Sequence, residues 1–344
     1  RSSDRDKDSQ KIITAPYYQS HDSFAPRYYQ LNAVNRTLEA IAQGRDRILL
    51  VMATGTGKTF TAFQIVHRLR QSSPNLKVLY LADRNILVDQ TIIGDFKSLK
   101  NVTTKIKGRK LDSAFEVYFS LYQQLVSSDG EEIFREFDPD FFDLIIVDEC
   151  HRGSAAEDST WRQILQYFNS AIQIGMTATP KETKEVSNFS YFGDPVYTYS
   201  LRQGIEDGFL APYKVIRPKM NVDIYGYRPS TGTRDDHGEE LPDRLFEKQD
   251  FDSEIVIKER YQQVAKKITQ FLKETDRYAK TIVFCVDIEH AENMRRALVN
   301  ENADIVKDHP TYVMKITGDD QEGKAQLDNF IDPDEKCPDR KSVV

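Results

Sequence analysis

An α/β protein built on parallel sheet is the fold class that the sequence predicts. Three observations carry it. Short, nearly uninterrupted apolar runs recur at Ile48–Met52, Val78–Ala82, Leu144–Val147, Ile172–Met176 and Ile282–Val286. Val, Ile and Leu dominate these runs, as in strands covered on both faces. Helically spaced apolar residues fill the intervals, and a glycine-rich loop joins the first run to the first such helix. Strands alternating with helices make a doubly wound sheet.

The chain opens on Arg1, and its first ten residues are polar and charged. Residues 1–24 read as a flexible lead-in, cut from something longer, without the pattern of a signal or transit peptide. A first domain is expected over 25–200. Its first strand, RILLVM, runs into MATGTGKT, residues 52–59. This is almost the phosphate-binding pattern G-x-x-x-x-G-K-[ST], with Met52 in place of the first glycine. Gly55 and Gly57 are small enough for backbone N–H groups to turn onto phosphate oxygens. Lys58 supplies a point charge, the Thr59 hydroxyl can coordinate Mg²⁺, and the helix N-terminus adds its positive end. The alternative is a helix-capping turn with an exposed lysine; the strand before and the helix after favour the phosphate loop. In that helix Phe60, Phe63, Val66 and Leu69 recur at helical spacing, with His67, Arg68 and Arg70 between or beyond them. Met52 replaces only the glycine farthest from the lysine, where a side chain can point into the sheet.

FFDLIIVDECHRGS, residues 141–154, is a strand ending in two carboxylates. Asp148 falls where α/β sheets place ligands and can hold Mg²⁺ through water. Glu149 is the candidate to position and polarise an attacking water, and His151 could couple the site to a neighbouring element. A solvated helix N-cap is the alternative for the acidic pair. Thiol or metal chemistry at Cys150 and His151 is another, with no further ligands clustered nearby. In GMTATP, residues 175–180, Thr177 and Thr179 put hydroxyls at a strand end and Pro180 stops the pairing; a hydroxyl-capped turn is the alternative.

SLRQGIEDGFLAP, with two glycines and a proline, suits a connection between domains over 201–212. The remainder, 213–344, reads as a second domain. Its stretch from about 218 to 250 is dense in Gly, Pro and Asp and is expected to be a surface excursion. Helical spacing returns at Ile257, Tyr261, Val264, Ile268, Phe271 and Leu272. The strand TIVFCVD, a helix in EHAENMRRALV and a strand in YVMKITGDD follow.

Composition bounds the function. A chain of 344 residues accommodates two or three domains. No run approaches the roughly eighteen apolar residues that a membrane helix needs. A formal charge of −7 argues against a small, wholly basic nucleic-acid binder but allows a basic groove on a larger surface. Cys150, Cys285 and Cys337 form no C-x-x-C pair, so neither a zinc ribbon nor a disulfide framework is indicated, and reduced thiols in cytoplasm are expected.

Tyr29-Gln30 before a helix, MATGTGKT, DECH and TATP stand in the order and spacing of superfamily 2 helicases and translocases, which the chain resembles from about Pro26 onward. QLNAV, VMATGTGKT, LADRNILVDQ and DLIIVDECHRGS look most like the motor subunit of type I restriction enzymes. The resemblance implies two RecA-like lobes, one complete and a second in part, with ATP and Mg²⁺ between them and double-stranded DNA across both. It implies translocation along the duplex rather than strand separation. It implies that Gln30, aided by Arg27, reads adenine, and that Thr54, Gly55, Thr56, Gly57, Lys58 and Thr59 hold phosphates and metal. Asp148 would serve the metal and Glu149 the water. His151, Thr177 and Thr179 would link hydrolysis to movement, and Asp83, Arg84 and Ser120 would touch the DNA backbone. Specificity and methylation subunits are the implied partners, with no membrane.

The family's arginine-finger motif, Q-x-x-G-R-x-x-R, is not in the sequence, and its nuclease signature is expected upstream of Arg1. The closing KSVV is expected to open the strand before the last two motifs. An arginine finger is worth about 10³–10⁵ in rate, so this chain is expected to bind nucleotide and turn it over slowly. Another superfamily 2 helicase, of DNA or RNA, and a nucleotide-binding domain without turnover remain as alternatives.

Overall fold

Four of the apolar runs become strands of one parallel sheet. In a computed structural model, residues 10–19, 25–82, 91–92, 94–106, 113–126, 132–150, 155–180, 188–218, 221–233, 240–247, 250, 258–317, 330 and 342–343 are described. They divide between two units, residues 1–214 and 215–344.

In the first unit lie β1 (Arg47–Met52), β2 (Val78–Ala82), β3 (Thr103–Lys105), β4 (Val117–Leu121), β5 (Leu144–Asp148), β6 (Ile172–Thr177) and β7 (Tyr197–Tyr199). They pair in parallel in the order β3-β4-β2-β5-β6-β1-β7. The helices are α1 (Tyr28–Ala42), α2 (Lys58–Ser72), α3 (Tyr122–Leu125), α4 (Ala155–Tyr167), α5 (Asn188–Phe192) and α6 (Leu201–Glu206). Successive strand residues point to opposite faces, and two cores result. Leu50, Met52, Val78, Tyr80 and Ile146 pack with Ala33 and Val34 of α1 and Ala62 and Phe63 of α2. Leu49, Leu79, Ile145 and Val147 face the other way, onto Trp161, Ile164 and Leu165 of α4. Each such aliphatic side chain contributes about 1.5–3 kcal/mol when fully buried.

Part of the expected lead-in is tied down. Arg68, 3% exposed on α2, donates to the Ile13 carbonyl at 2.5 Å and to Asn35 Oδ1 at 2.8 Å. Its guanidinium lies 4.4 Å from the centroid of the Tyr17 ring. Gln64 exchanges two hydrogen bonds with the Tyr18 backbone, at 3.0 and 3.2 Å.

Residues 201–212, expected to connect the domains, lie in the first unit and form α6 and the turn after it. A capping box outweighs the two glycines: the Gln203 N–H donates to Ser200 Oγ at 3.2 Å and the Ser200 N–H to Gln203 Oε1 at 2.9 Å. Gly204 serves close approach, since an added Cβ would stand 2.6 Å from Leu210.

The second unit holds α7 (Asn221–Tyr225), α8 (Lys258–Glu274), β8 (Thr281–Ile282), α9 (Ile288–Glu301), α10 (Ala303–Val306), β9 (Val313–Met314) and β10 (Ser342–Val343). Its sheet is parallel, in the order β8-β10-β9. The expected surface excursion has a small core of its own: Phe246 is buried against Val222, Tyr227 and Leu241, and Tyr227 bridges to Phe246. The run Ile282–Val286, expected as a strand buried on both faces, is strand only through Ile282. Val283 and Cys285 pack on the core of α8 and α9, whereas Phe284 is 91% exposed. Among the described residues this run alternates between a covered and an uncovered face, which an apolar count does not distinguish from burial on both.

Candidate functional site

Parallel pairing brings the C-terminal ends of several strands to one edge. Val51 is level with Thr177, Met52 with Tyr199 and Asp148 with Met176. The glycine-rich loop after β1, the acidic pair at the end of β5 and Thr177 at the end of β6 therefore share the edge where open α/β sheets bind ligands.

Met52 is fully buried in the core under α1 and α2, so the large residue at the loop's start is accommodated inside the sheet. The turn is held by the Ala53 N–H, which donates to the Tyr199 carbonyl at 2.9 Å, and by the Thr56 hydroxyl, which donates to the Ala53 carbonyl at 2.6 Å. Gly55 and Gly57 take φ values of 83° and 79°, a left-handed conformation that favours glycine. Gly57 is the N-cap of α2 and brings no capping side chain. The N–H groups of the first helical turn, at Lys58, Thr59 and Phe60, have no intrahelical acceptors, and with the helix dipole they suit an anion. Thr54 and Gly55 are exposed at the loop's tip, while Thr56 is buried.

Gln30 clips the start of α1 to this loop. Its Nε2 donates to the Thr56 carbonyl at 2.9 Å, and its Oε1 accepts from the Arg27 N–H at 2.9 Å. A carboxamide retains a second proton and a second lone pair for a ligand. The Arg27 guanidinium lies 4.7 Å from the Phe209 ring centroid, and its Nη1 donates to the Tyr29 hydroxyl at 3.2 Å. Beside these residues opens a cleft of about 910 Å³, whose walls include Tyr18, Arg27, Gln30, Gly57, Phe60 and Lys97. That is within the roughly 300–1,000 Å³ typical of small-molecule sites.

On the other side of the loop, Lys58 Nζ stands 3.1 Å from Glu149 Oε1, with both side chains largely buried. Asp148 Oδ2 accepts from the Tyr80 hydroxyl at 2.9 Å and Oδ1 from the Glu149 N–H at 3.0 Å. Burial pushes the Asp148 carboxyl above its ordinary range; the Tyr80 hydrogen bond and Lys58 oppose this, and Glu149 adds to it. Burial, then the Asp148 charge, pushes Tyr80 well above its own. Glu149 has a φ of 51°. A non-glycine residue there carries strain of about 1–2 kcal/mol, and such strain concentrates at functional sites.

Thr59 and Asp148 form an oxygen-only donor pair with few protein ligands, which fits Mg²⁺ completed by water and phosphate oxygens. Among the described residues no group of three His, Cys, Asp or Glu side chains could hold a metal, so a histidine- or thiolate-based centre is not indicated there. Cys150 packs in the core and its carbonyl accepts from Asn188 Nδ2 at 2.9 Å, a structural role. Thr177 is buried, and its Oγ1 accepts from the Thr179 N–H at 3.2 Å. His151, Asp83 and Arg84 lie outside the described residues. Ser120, expected to touch DNA, is fully buried within β4, with its hydroxyl turned onto the Leu121 carbonyl at 3.0 Å. A side chain so enclosed offers nothing to a phosphate backbone.

Sequence reasoning missed Tyr80, Phe209 and Leu210. Tyr80 carried a signal: a tyrosine inside an otherwise aliphatic strand needs a partner for its hydroxyl once buried.

Residues 23–182 match the family described as "Type III restriction enzyme, res subunit". The chain is 58% identical over 328 residues to the EcoAI type I restriction enzyme endonuclease subunit of Escherichia coli, covering 95% of this chain and 40% of that protein. It is 31% identical to the EcoKI endonuclease subunit of E. coli K12, over 89% of this chain and 28% of the other. Among solved structures, a fragment described as an HsdR subunit of a type I restriction enzyme from Vibrio vulnificus YJ016 superposes with a TM-score of 0.74. That pair is 39% identical, over 99% of this chain and 57% of the other. Among the described residues no helix is long and apolar enough to cross a membrane.

Proposed function

The chain belongs with the superfamily 2, helicase-like restriction subunits, and on that premise we propose that it is the ATP-fuelled motor part of a type I restriction enzyme acting on double-stranded DNA. The ion pair of Lys58 and Glu149, set beside Asp148 at the end of the glycine-rich loop, carries the reading. A lysine and two carboxylates gathered at the N-terminus of α2 have a use when a phosphate arrives.

The N–H groups of Gly55, Gly57, Lys58 and Thr59 would bind phosphate oxygens, with Thr54 and Thr56 shaping the turn. Lys58 would leave Glu149 for the β- and γ-phosphates, and Glu149, so released, would orient the attacking water. Thr59 and Asp148 would hold Mg²⁺, which supplies neutralising charge at the transferred phosphoryl group. Gln30 and Arg27 would orient adenine in the adjoining cleft. Thr177, Thr179 and His151 would pass the outcome of hydrolysis to the DNA, for which Asp83 and Arg84 are the proposed contacts.

Duplex DNA as the track, specificity and methylation subunits as partners, and a cytoplasmic setting are part of the same proposal. It draws on the relatives' names and on their greater length.

Lys58→Ala tests the reading. In this chain, ADP with Mg²⁺ should raise the unfolding temperature of the wild type, and a ligand at a hundred times its Kd adds about 2.7 kcal/mol. The variant should show no such shift, and in a parent-length protein it should lose DNA-stimulated ATP hydrolysis. Wild-type-like turnover by the variant would refute the phosphate-loop assignment.

A further inference from the structure

We propose that Tyr80 is a positioning residue that fixes the orientation of Asp148, so that its carboxylate presents lone pairs to a divalent cation. The inference rests on the nucleotide reading above and concerns a residue that carries no part of it.

Tyr80 lies in the middle of β2, level with Ile146 of β5, and is 1% exposed. Its ring is set by aromatic packing, 5.0 Å from the centroid of Phe119 and 5.9 Å from that of Phe96. The position of its hydroxyl is thus dictated by the core rather than by the site. That hydroxyl donates its single proton to Asp148 Oδ2 at 2.9 Å.

The donor inventory then decides the rest. An ionised carboxylate only accepts, and a phenol has one proton. With that proton committed to Asp148, Tyr80 has none left for another acceptor. On Asp148, Oδ2 is held by Tyr80 and Oδ1 by the Glu149 N–H at 3.0 Å. Each carboxylate oxygen keeps further acceptor capacity, in a fixed orientation. Partners that orient metal ligands in this way typically contribute ten- to a hundredfold to metal affinity.

Tyr80→Phe keeps the ring and removes the hydroxyl. The measurement is binding of a fluorescent ADP to the full chain, titrated with Mg²⁺ and repeated in excess chelator, with ligand-free thermal unfolding as the check on folding. The half-saturating Mg²⁺ concentration should rise about tenfold or more in the variant, while metal-free nucleotide affinity stays at the wild-type value. On an Asp148→Asn background, Tyr80→Phe should add less than about twofold, because the partner it orients is already altered. An unchanged Mg²⁺ requirement overturns the inference. So does an equal loss of binding with and without Mg²⁺, which would mark Tyr80 as structural only, and so does full additivity with Asp148→Asn. If the wild type shows no Mg²⁺-dependent nucleotide binding, the nucleotide reading itself fails, a result distinct from the other three.

Discussion

At Gly57 two demands meet. Its φ is 79°, and an added Cβ would stand 2.4 Å from Gln30 Nε2, the group that ties α1 to the loop. Gly44 supplies the comparison, with a φ of 85° and nothing within 4 Å of an added Cβ. Gly44→Ala should cost only the left-handed strain, about 1–2 kcal/mol. Gly57→Ala should cost more and should also weaken nucleotide binding, because Gln30 must move. Thermal unfolding and ADP titration of the two variants check this; equal melting and equal binding would sink it. The residues legible in the sequence were those whose chemistry is local. Gly55, Gly57, Lys58 and Thr59 lie within one turn, and Asp148 and Glu149 are adjacent. Tyr80 was not legible, because its partner Asp148 reaches it only through the pairing of β2 with β5. Leu210 was not either, for it meets Gly55 only after the chain has returned past β7.

Strands announced themselves when both faces were covered, as β1, β2, β5 and β6 are. The three-residue strands β3 and β7 read TTK and YTY and have no aliphatic run to notice. β4, VYFSL, is covered on both faces too, but with aliphatic residues only at its two ends it shows no aliphatic run. Helix α9 shows charge placed by periodicity instead. Glu292 accepts from Arg295 Nη2 at 2.9 Å and from Arg296 Nε at 2.9 Å, and Lys315 Nζ stands 3.5 Å away. Led by the Arg295 hydrogen bond, these partners pull its carboxyl from 4.5 down to about 2. A carboxyl depressed by folding stabilises the fold above its unfolded value and ceases to do so as pH falls through its folded value. Glu292→Gln should therefore lower the stability of α9 at neutral pH, and the gap from wild type should close between pH 4.5 and about 2. Hydrogen exchange of the α9 amides across that window is the measurement. A gap that stays constant would show that the three cations contribute nothing.

Residues 1–214 hold both cores of the seven-stranded sheet, the cleft and the whole phosphate loop. Expressed alone, they should fold cooperatively and bind ADP with Mg²⁺. A circular-dichroism melt and an ADP titration would reveal the contrary, an unfolded or non-binding polypeptide. The stretch 201–212, expected from its glycines and proline to connect the domains, is tied to this unit by the Ser200 capping box and by the seat of Leu210 against Gly204 and Gly55. Within the unit, the pairing of Lys58 with Glu149 also bears on what the proposed phosphate loop would ignore. A lone orthophosphate meets no bare cation; to enter, it must break an internal partnership with the contacts of one small ion. On the proposed reading a nucleotide would grip at two places, phosphate in the loop and base beside Gln30, and the second grip would offset the cost of the first. On that reading the resting loop would be a lock with its own key half turned, favouring a ligand that carries both ends over common small anions.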